Sequence, residues 1–292
     1  MRVANTAEGH QELAAWLAAR RIGRVGIEAS GGYERAVVAY LRAQGIEVAL
    51  LQPRPVRAFA VYKLRRAKND RIDAALIAEC AASLGSLRPP PDSRLALLSE
   101  HLLLIEQLEA DIACWKTRRE HYTDKRFLKQ IDQCIAALER RCDAELARLE
   151  LAVCRHADLA QRLELVASVD GIGLRTALAL VILLPELGTV SREQISALVG
   201  VAPYDDDSAE RSGERHIAGG RDRVRRALYS AALPASHRWN AALVAKYAHL
   251  KARGKLHKVA LIACVRKLLI YANAVIERGT PSTKTPPAKH AA

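Results

Sequence analysis

Lys68-Asn69-Asp70-Arg71-Ile72-Asp73 sets two carboxylates three residues apart, just ahead of an apolar run from Ala74 to Ala82. If that run is helical, Asp70 and Asp73 project from one face of its first turn. Glu28, at the end of a short stretch whose core is Val25 and Ile27, would complete a group of three carboxylates from two elements. Hard divalent cations take oxygen ligands, and a pair of them can stabilise both the attacking and the leaving oxygen of a phosphodiester. The same residues also suit a helix start, with Asp70 as cap and Asp73 near the positive end of the dipole. Spacing alone leaves cap and ligand both open.

A second reactive stretch is a polar loop, Asp205-Asp206-Asp207-Ser208-Ala209-Glu210-Arg211-Ser212-Gly213-Glu214, followed by Arg215, Arg221, Arg223, Arg225 and Arg226. Serine becomes a nucleophile when a base, a metal or fixed cations lower the cost of its alkoxide, and arginines can hold a scissile phosphate. The plain alternative is a turn serine beside a solvated helix face. The three aspartates suit a phosphate site only if they point outward or bind metal. Farther upstream, Val169-Asp170-Gly171-Ile172-Gly173 reads as a tight hairpin between two helices. Glycines such as Gly171 and Gly173 let backbone amides approach phosphate oxygens beside a helix amino terminus, a contact that positions a nucleic acid without reading its sequence. A plain turn between packed helices has the same signature.

The elements that must carry these groups follow from changes of pattern along the chain. Short β-branched runs alternate with helical ones: Arg2 to Asn5 extended, Ala7 to Arg20 helical, Gly23 to Ala29 extended, Tyr33 to Gln44 helical, Ile46 to Leu51 extended. That alternation predicts an α/β layer over residues 1–90, ended by Pro89-Pro90-Pro91. Residues 91–158 carry Leu and Ile at helical spacing, which predicts a helical hairpin or a coiled coil. An apolar stripe on long helices must be buried, within the chain or in a homo-oligomer. Residues 159–279 read as a second helical domain, and 280–292 as a disordered tail.

The composition favours a polyanionic partner. A formal charge of +13 on 292 residues draws nucleic acid and speeds its encounter. Membranes attract the same charge, yet no apolar run approaches a spanning length, Thr176 to Leu184 being the longest, and the amino terminus has no signal-peptide pattern. The expectation is a cytoplasmic protein without a membrane partner. The six cysteines lie at wide, irregular spacings, so reduced and mostly buried thiols are expected rather than a zinc site or a disulfide framework.

Taken in order, these motifs resemble the transposases of the insertion sequence 110 family, over nearly the whole chain. The amino part is similar to that family's RuvC-like, ribonuclease-H-fold domain, with Glu28 at a strand end and Lys68, Asp70 and Asp73 at a helix start. Gly31, Tyr33, Gln52-Pro53, Val56, Phe59 and Ala60 follow the same course. The carboxyl part is similar to the family's second transposase domain. It has the Gly171-Ile172-Gly173 helix-hairpin-helix turn, Leu198-Val199-Gly200-Val201-Ala202-Pro203, the serine loop, Ile217 with Gly219-Gly220, Arg225 to Leu228, Gly254-Lys255 and Arg266-Lys267-Leu268-Leu269.

The resemblance implies RNA-guided DNA cleavage and strand exchange in a bacterial, nucleoid-associated setting, with a noncoding bridge RNA pairing with donor and target DNA. Ser208, by its place before Ile217, would be the nucleophile with Ser212 in reserve. Glu28, Asp70 and Asp73 would hold magnesium, and Lys68, Arg215 and Arg221 would contact phosphate. It also implies a preceding strand with a first catalytic Asp, whereas this sequence starts almost at the segment Val3-Ala4-Asn5-Thr6, so an amino-terminally truncated and catalytically weakened copy is expected. Ala209 stands where the family has Gly. Two other functions fit the residues: a metal-only junction-resolving nuclease with Ser208 a bystander, and a nucleic-acid-binding protein without chemistry.

Overall fold

The computed structural model describes residues 1–65, 69–87, 92–205 and 215–282. Ser208, Ser212, Lys68, the triple proline and most of the predicted tail therefore lie outside the described residues. The chain is mainly helical and divides into two units, Met1–Pro90 and Pro91–Ala292.

In the first unit, α1 (Ala7–Ala19), β1 (Arg24–Glu28), α2 (Arg35–Ala43), β2 (Glu47–Leu51), α3 (Pro53–Tyr62) and α4 (Asp70–Ser83) follow in order. β1 and β2 pair in parallel, Arg24 opposite Glu47 through Glu28 opposite Leu51. Side chains of a strand alternate between faces, and β2 shows it. Val48 packs with Leu17, Val38 and Leu41 of α1 and α2, while Ala49 and Leu51 pack with Val56 of α3 and Leu76, Cys80 and Ala81 of α4. The result is helix, sheet and helix in three layers. The expected strand at Arg2 to Asn5 does not form. Its last residue is instead tied up by side-chain bonds: Asn5 Nδ2 donates to Tyr33 O at 2.9 Å, and Asn5 Oδ1 lies 2.7 Å from His10 Nε2. Thr6 then caps α1.

Gly26 fixes how closely α4 lies on β1. A Cβ there would stand 2.8 Å from Ile77 O and 2.8 Å from the Ala81 methyl. Gly26→Val should therefore push the helix off the strand and cost about 1–3 kcal/mol of stability by overpacking. Gly23→Ala, whose added methyl would meet nothing within 4 Å, serves as the neutral control in the same urea titration. Equal midpoints for the two variants would defeat the close-approach argument.

The second unit begins with an antiparallel hairpin of α5 (Ser93–Arg119) and α6 (Lys125–Cys154). Leu95, Leu98, Leu102, Ile105 and Leu108 form the buried seam of α5, facing Ile131, Ile135, Leu149 and Val153 of α6. The stripe is thus buried within one chain, and Leu97, Leu103, Leu104 and Leu151 remain on the outside. One seam cannot hide both sides of two long helices, which is why Cys114, Cys134 and Cys154 are exposed rather than buried as expected; only Cys80 and Cys264 are buried. All six thiols are free.

Then come α7 (Ala157–Ala167), α8 (Leu174–Leu183), α9 (Arg192–Val199), β3 (Pro203–Tyr204), β4 (His216–Ile217), α10 (Asp222–Pro234), a π-helical turn (Ala235–Trp239), α11 (Ala241–Ala252) and α12 (His257–Arg278). α8 is buried from Thr176 to Ile182, at the centre of the core. By length and composition α12 could cross a bilayer, contrary to the expectation that no segment approaches that length, and half of its apolar window is buried against its neighbours. Arg266 and Lys267 interrupt the run in the sequence. The helix serves as a core element: Asn273 holds Gly188 N and Val190 O, and Arg266 Nε reaches Ser196 Oγ.

Candidate active site

The acidic group is built on the contact between α4 and β1. Arg24 Nη1 donates to Leu84 O, just past the end of α4, and Gly26 meets Ile77 and Ala81. The helix therefore runs against the strand direction, and its first turn is carried toward Glu28. Two strand residues from Gly26 to Glu28 advance roughly 6–7 Å, and four helical residues from Ile77 back to Asp73 advance about 6 Å. The match brings Asp73 to the same end of the sheet as Glu28. The cap of α4 is Asn69, whose side chain accepts from Ile72 N at 2.9 Å. Asp70 is thereby relieved of the capping role that its position suggested. Neither aspartate, nor half-buried Glu28, has an ion pair among the described residues.

Carboxylates at one sheet end fit a hard divalent cation in donor type and in location. They are not drawn together: among the described residues no group of three or more acidic, His or Cys side chains is close enough to hold an ion. Convergence of Glu28, Asp70 and Asp73 on one point, expected from the sequence, is absent in this conformation. Carboxylates without a cation between them repel, which opposes such convergence.

Glu34, nearby in sequence, has another task. Its carboxylate accepts from Ser30 N at 2.9 Å, Ser30 Oγ at 3.0 Å and Gly32 N at 2.9 Å, wrapping the turn that follows β1. Its own backbone amide and then that of Ser30 pull its pKa down to about 2. Those bonds commit Glu34 to shaping the loop.

The serine loop lies outside the described residues, but its two ends are fixed. β3 and β4 pair antiparallel, Pro203 opposite Ile217 and Tyr204 opposite His216, and Arg215 Nε lies 2.6 Å from Asp205 Oδ1. Below this ladder Gly200 (φ 75°) and Gly220 (φ 74°) cross backbone to backbone; a Cβ on Gly200 would overlap Gly219 O, and one on Gly220 would overlap Gly200 N and Val199 C. Arg225 braces the crossing, with Nη1 donating to Gly219 O at 2.5 Å and to Val199 O at 3.2 Å. The motif glycines thus have a packing reason.

The arginines after the loop, read from sequence as phosphate holders, all have partners inside the protein. Arg221 grips Glu186 with both Nη atoms at 2.6 Å and adds Leu183 O. Arg223 reaches Glu106 at 2.7 Å and Ser99 on α5. Arg225 and Arg226 share Asp222. The pairs of Arg221 and Arg223 stitch α10 to the end of α8 and to the hairpin, and those on Asp222 lie within α10; a phosphate would have to displace them. Arg215 and Arg226 are each more than half exposed in their side chains, and of the two Arg215 stands at the base of the serine loop.

The turn between α7 and α8 likewise packs before it binds. Gly171 (φ 98°) has no room for a Cβ because Ala235 fills the space, and Asn240 Nδ2 donates to Asp170 O at 2.8 Å. Gly173 starts α8 with open space where a Cβ would stand.

Residues 1–139 match a family model described as transposase, that of the DEDD domain of insertion sequence 110 elements, and residues 163–249 match one described as transposase of the IS116/IS110/IS902 family. Over 299 aligned residues the chain is 25% identical to the pilin gene-inverting proteins of Moraxella lacunata and Moraxella bovis, with 96% of this chain and 89% of each relative covered.

Proposed function

The chain belongs to the insertion sequence 110 family of transposases, and from that premise we propose an RNA-guided DNA recombinase with Ser208 as nucleophile and a metal-binding group of Glu28, Asp70 and Asp73. The recombinase activity comes with the family, as does the use of a divalent metal by its DEDD domain. The observation that carries the finer reading is the register of α4 on β1, which brings the first turn of α4 to the carboxyl end of the strand while Asn69 does the capping.

In this reading Glu28, Asp70 and Asp73 would hold magnesium, which when bound would supply positive charge for a phosphodiester in transition. Ser208 Oγ attacks phosphorus, its proton passes to solvent or a nearby base, and the released deoxyribose oxygen is protonated. Arg215 exchanges Asp205 for a phosphate oxygen, Lys68 adds a second cation, and Gly173 offers α8's amino terminus to the backbone. DNA and a noncoding bridge RNA are the proposed partners, in a homo-oligomer whose contact includes the outer leucines of α5 and α6.

Incubation of the full chain with DNA spanning the ends of its own element, the flanking noncoding RNA and magnesium should give a protein–DNA adduct that survives denaturation. Chelation with EDTA should remove it, RNase should remove it, and Asp73→Ala should lower it at least about tenfold, since loss of even a residue that orients a metal ligand costs that much. An adduct indifferent to EDTA and to Asp73→Ala would sever the acidic group from the reaction.

A further inference from the structure

From Arg223 to Ile276 the chain contains no acidic residue, yet it carries Arg223, Arg225, Arg226, Arg238, Lys246, Lys251, Arg253, Lys255, Lys258, Arg266 and Lys267. Most of the net charge of the protein is therefore concentrated in this segment. The first three arginines are spent on Glu106 and Asp222. Among the described residues, Arg238, Lys251, Arg253, Lys255 and Lys258 are all exposed and none forms an ion pair. Among the described residues no carboxylate pairs with these five charges.

Its geometry is fixed from beneath. Pro234 has no N–H to give α10, and the chain continues as a π-helical turn in which Asn240 N bonds back to Ala235 O at 3.0 Å. The His237 ring lies 4.7 Å from that of Tyr247, and Tyr247 Oη is 2.7 Å from His257 Nδ1. Three rings thus tie the π-helical turn, the middle of α11 and the start of α12 together. Arg238 adjoins the first ring in sequence and Lys258 the last, and Lys251 Nζ holds Lys255 O across the end of α11. At the head of the patch Trp239 is 59% exposed. A tryptophan left in water at the end of an anchored turn, with no ring or cation stacked on it among the described residues, is a flat platform.

We propose that this patch is a binding site for single-stranded nucleic acid, in which Trp239 stacks on an unpaired base and Arg238, Lys251, Arg253, Lys255 and Lys258 follow the phosphates. Base–aromatic stacking beside a cationic track is how sequence-tolerant single-strand sites work, and a base paired in a duplex cannot offer its face. The patch continues into the α7–α8 turn, because Asn240, next to Trp239, bonds Asp170 O and Ala235 packs on Gly171. The inference rests on the recombinase reading only in taking nucleic acid as the partner.

The test measures fluorescence anisotropy of labelled oligothymidine and oligouridine of about 20 nucleotides, and of a duplex of equal length, with the full chain. Trp239→Ala should weaken both single strands roughly 5- to 150-fold, Trp239→Phe should restore most of the loss, and duplex binding should stay unchanged. Lys255→Glu with Lys258→Glu should weaken every probe and flatten its salt dependence. A larger loss on oligouridine assigns the site to RNA, and a larger loss on oligothymidine assigns it to DNA. Equal affinity of Trp239→Ala and wild type for single strands, or an equal loss on duplex, overturns the stacking site. If that happens while the wild type still forms its covalent DNA adduct, the recombinase reading stands alone; wild type binding none of the probes overturns the patch. Melting curves of Trp239→Ala should match wild type, since the side chain lies outside the core.

Discussion

Ser208→Ala should abolish the covalent protein–DNA adduct and lower strand exchange by at least about a thousand-fold, because no other group replaces a lost nucleophile in a mechanism built on it. Ser212→Ala should leave both within a few-fold of wild type. Three outcomes separate the functions that the residues allow. Loss in Ser208→Ala alone supports the serine mechanism. Strand cleavage that survives in both variants, with no adduct in wild type, would mean attack by water and a metal-only nuclease. Adduct lost in Ser212→Ala but kept in Ser208→Ala would move the nucleophile four residues along the loop. Arg215→Gln gives a graded companion result. It removes the cation 2.6 Å from Asp205 at the loop base, so a loss between those of the two serine variants would agree with a phosphate role.

What the sequence made legible is what short-range pattern controls. β1 and β2 stand where the β-branched runs predicted them, and the long helices where Leu and Ile recur among charges. Arg2 to Asn5 failed because extended propensity needs a partner strand, and the side chain of Asn5 had nearer work with Tyr33 and His10. Asn69 and Asp70 are both good caps, and adjacent residues of equal propensity cannot be ordered from sequence; the backbone chose Asn69. The partners of the arginines after the serine loop were hidden for a different reason. Glu106 lies 117 positions from Arg223 and Glu186 lies 35 from Arg221, and such pairs appear only when helices dock. The charge that remains available lies farther on, beyond Arg226, and was visible as a stretch without Asp or Glu. For the acidic group, sequence supplied the residue types and structure the shared end of the sheet. Closure of the three carboxylates depends on a cation that the sequence does not encode.

Gly220→Ala should destabilise the second unit by about 2–5 kcal/mol. The sum is about 1–2 for holding a non-glycine residue in the left-handed region and about 1–3 for overpacking. The overpacking is specific, because a methyl on Gly220 would drive into the backbone of Val199 and Gly200, which cannot rotate away as a side chain could. Gly219 supplies the control within the same turn. It too has a positive φ, 64°, but a Cβ there meets nothing within 4 Å, so Gly219→Ala should cost only the first term, about 1–2 kcal/mol. The loop bearing Ser208 and Ser212 leaves and rejoins the core above this crossing. In conditions where Gly220→Ala is still folded, its backbone must have shifted to admit the methyl, carrying with it Gly219 O and the Arg225 brace. Adduct formation should then fall by more than the folded fraction explains, whereas in Gly219→Ala it should track that fraction. Chemical denaturation paired with the adduct assay reads both quantities from one preparation. Equal unfolding midpoints for the two variants would show that the crossing yields easily, and that the glycines of this motif answer to something other than the packing of Gly200 on Gly220.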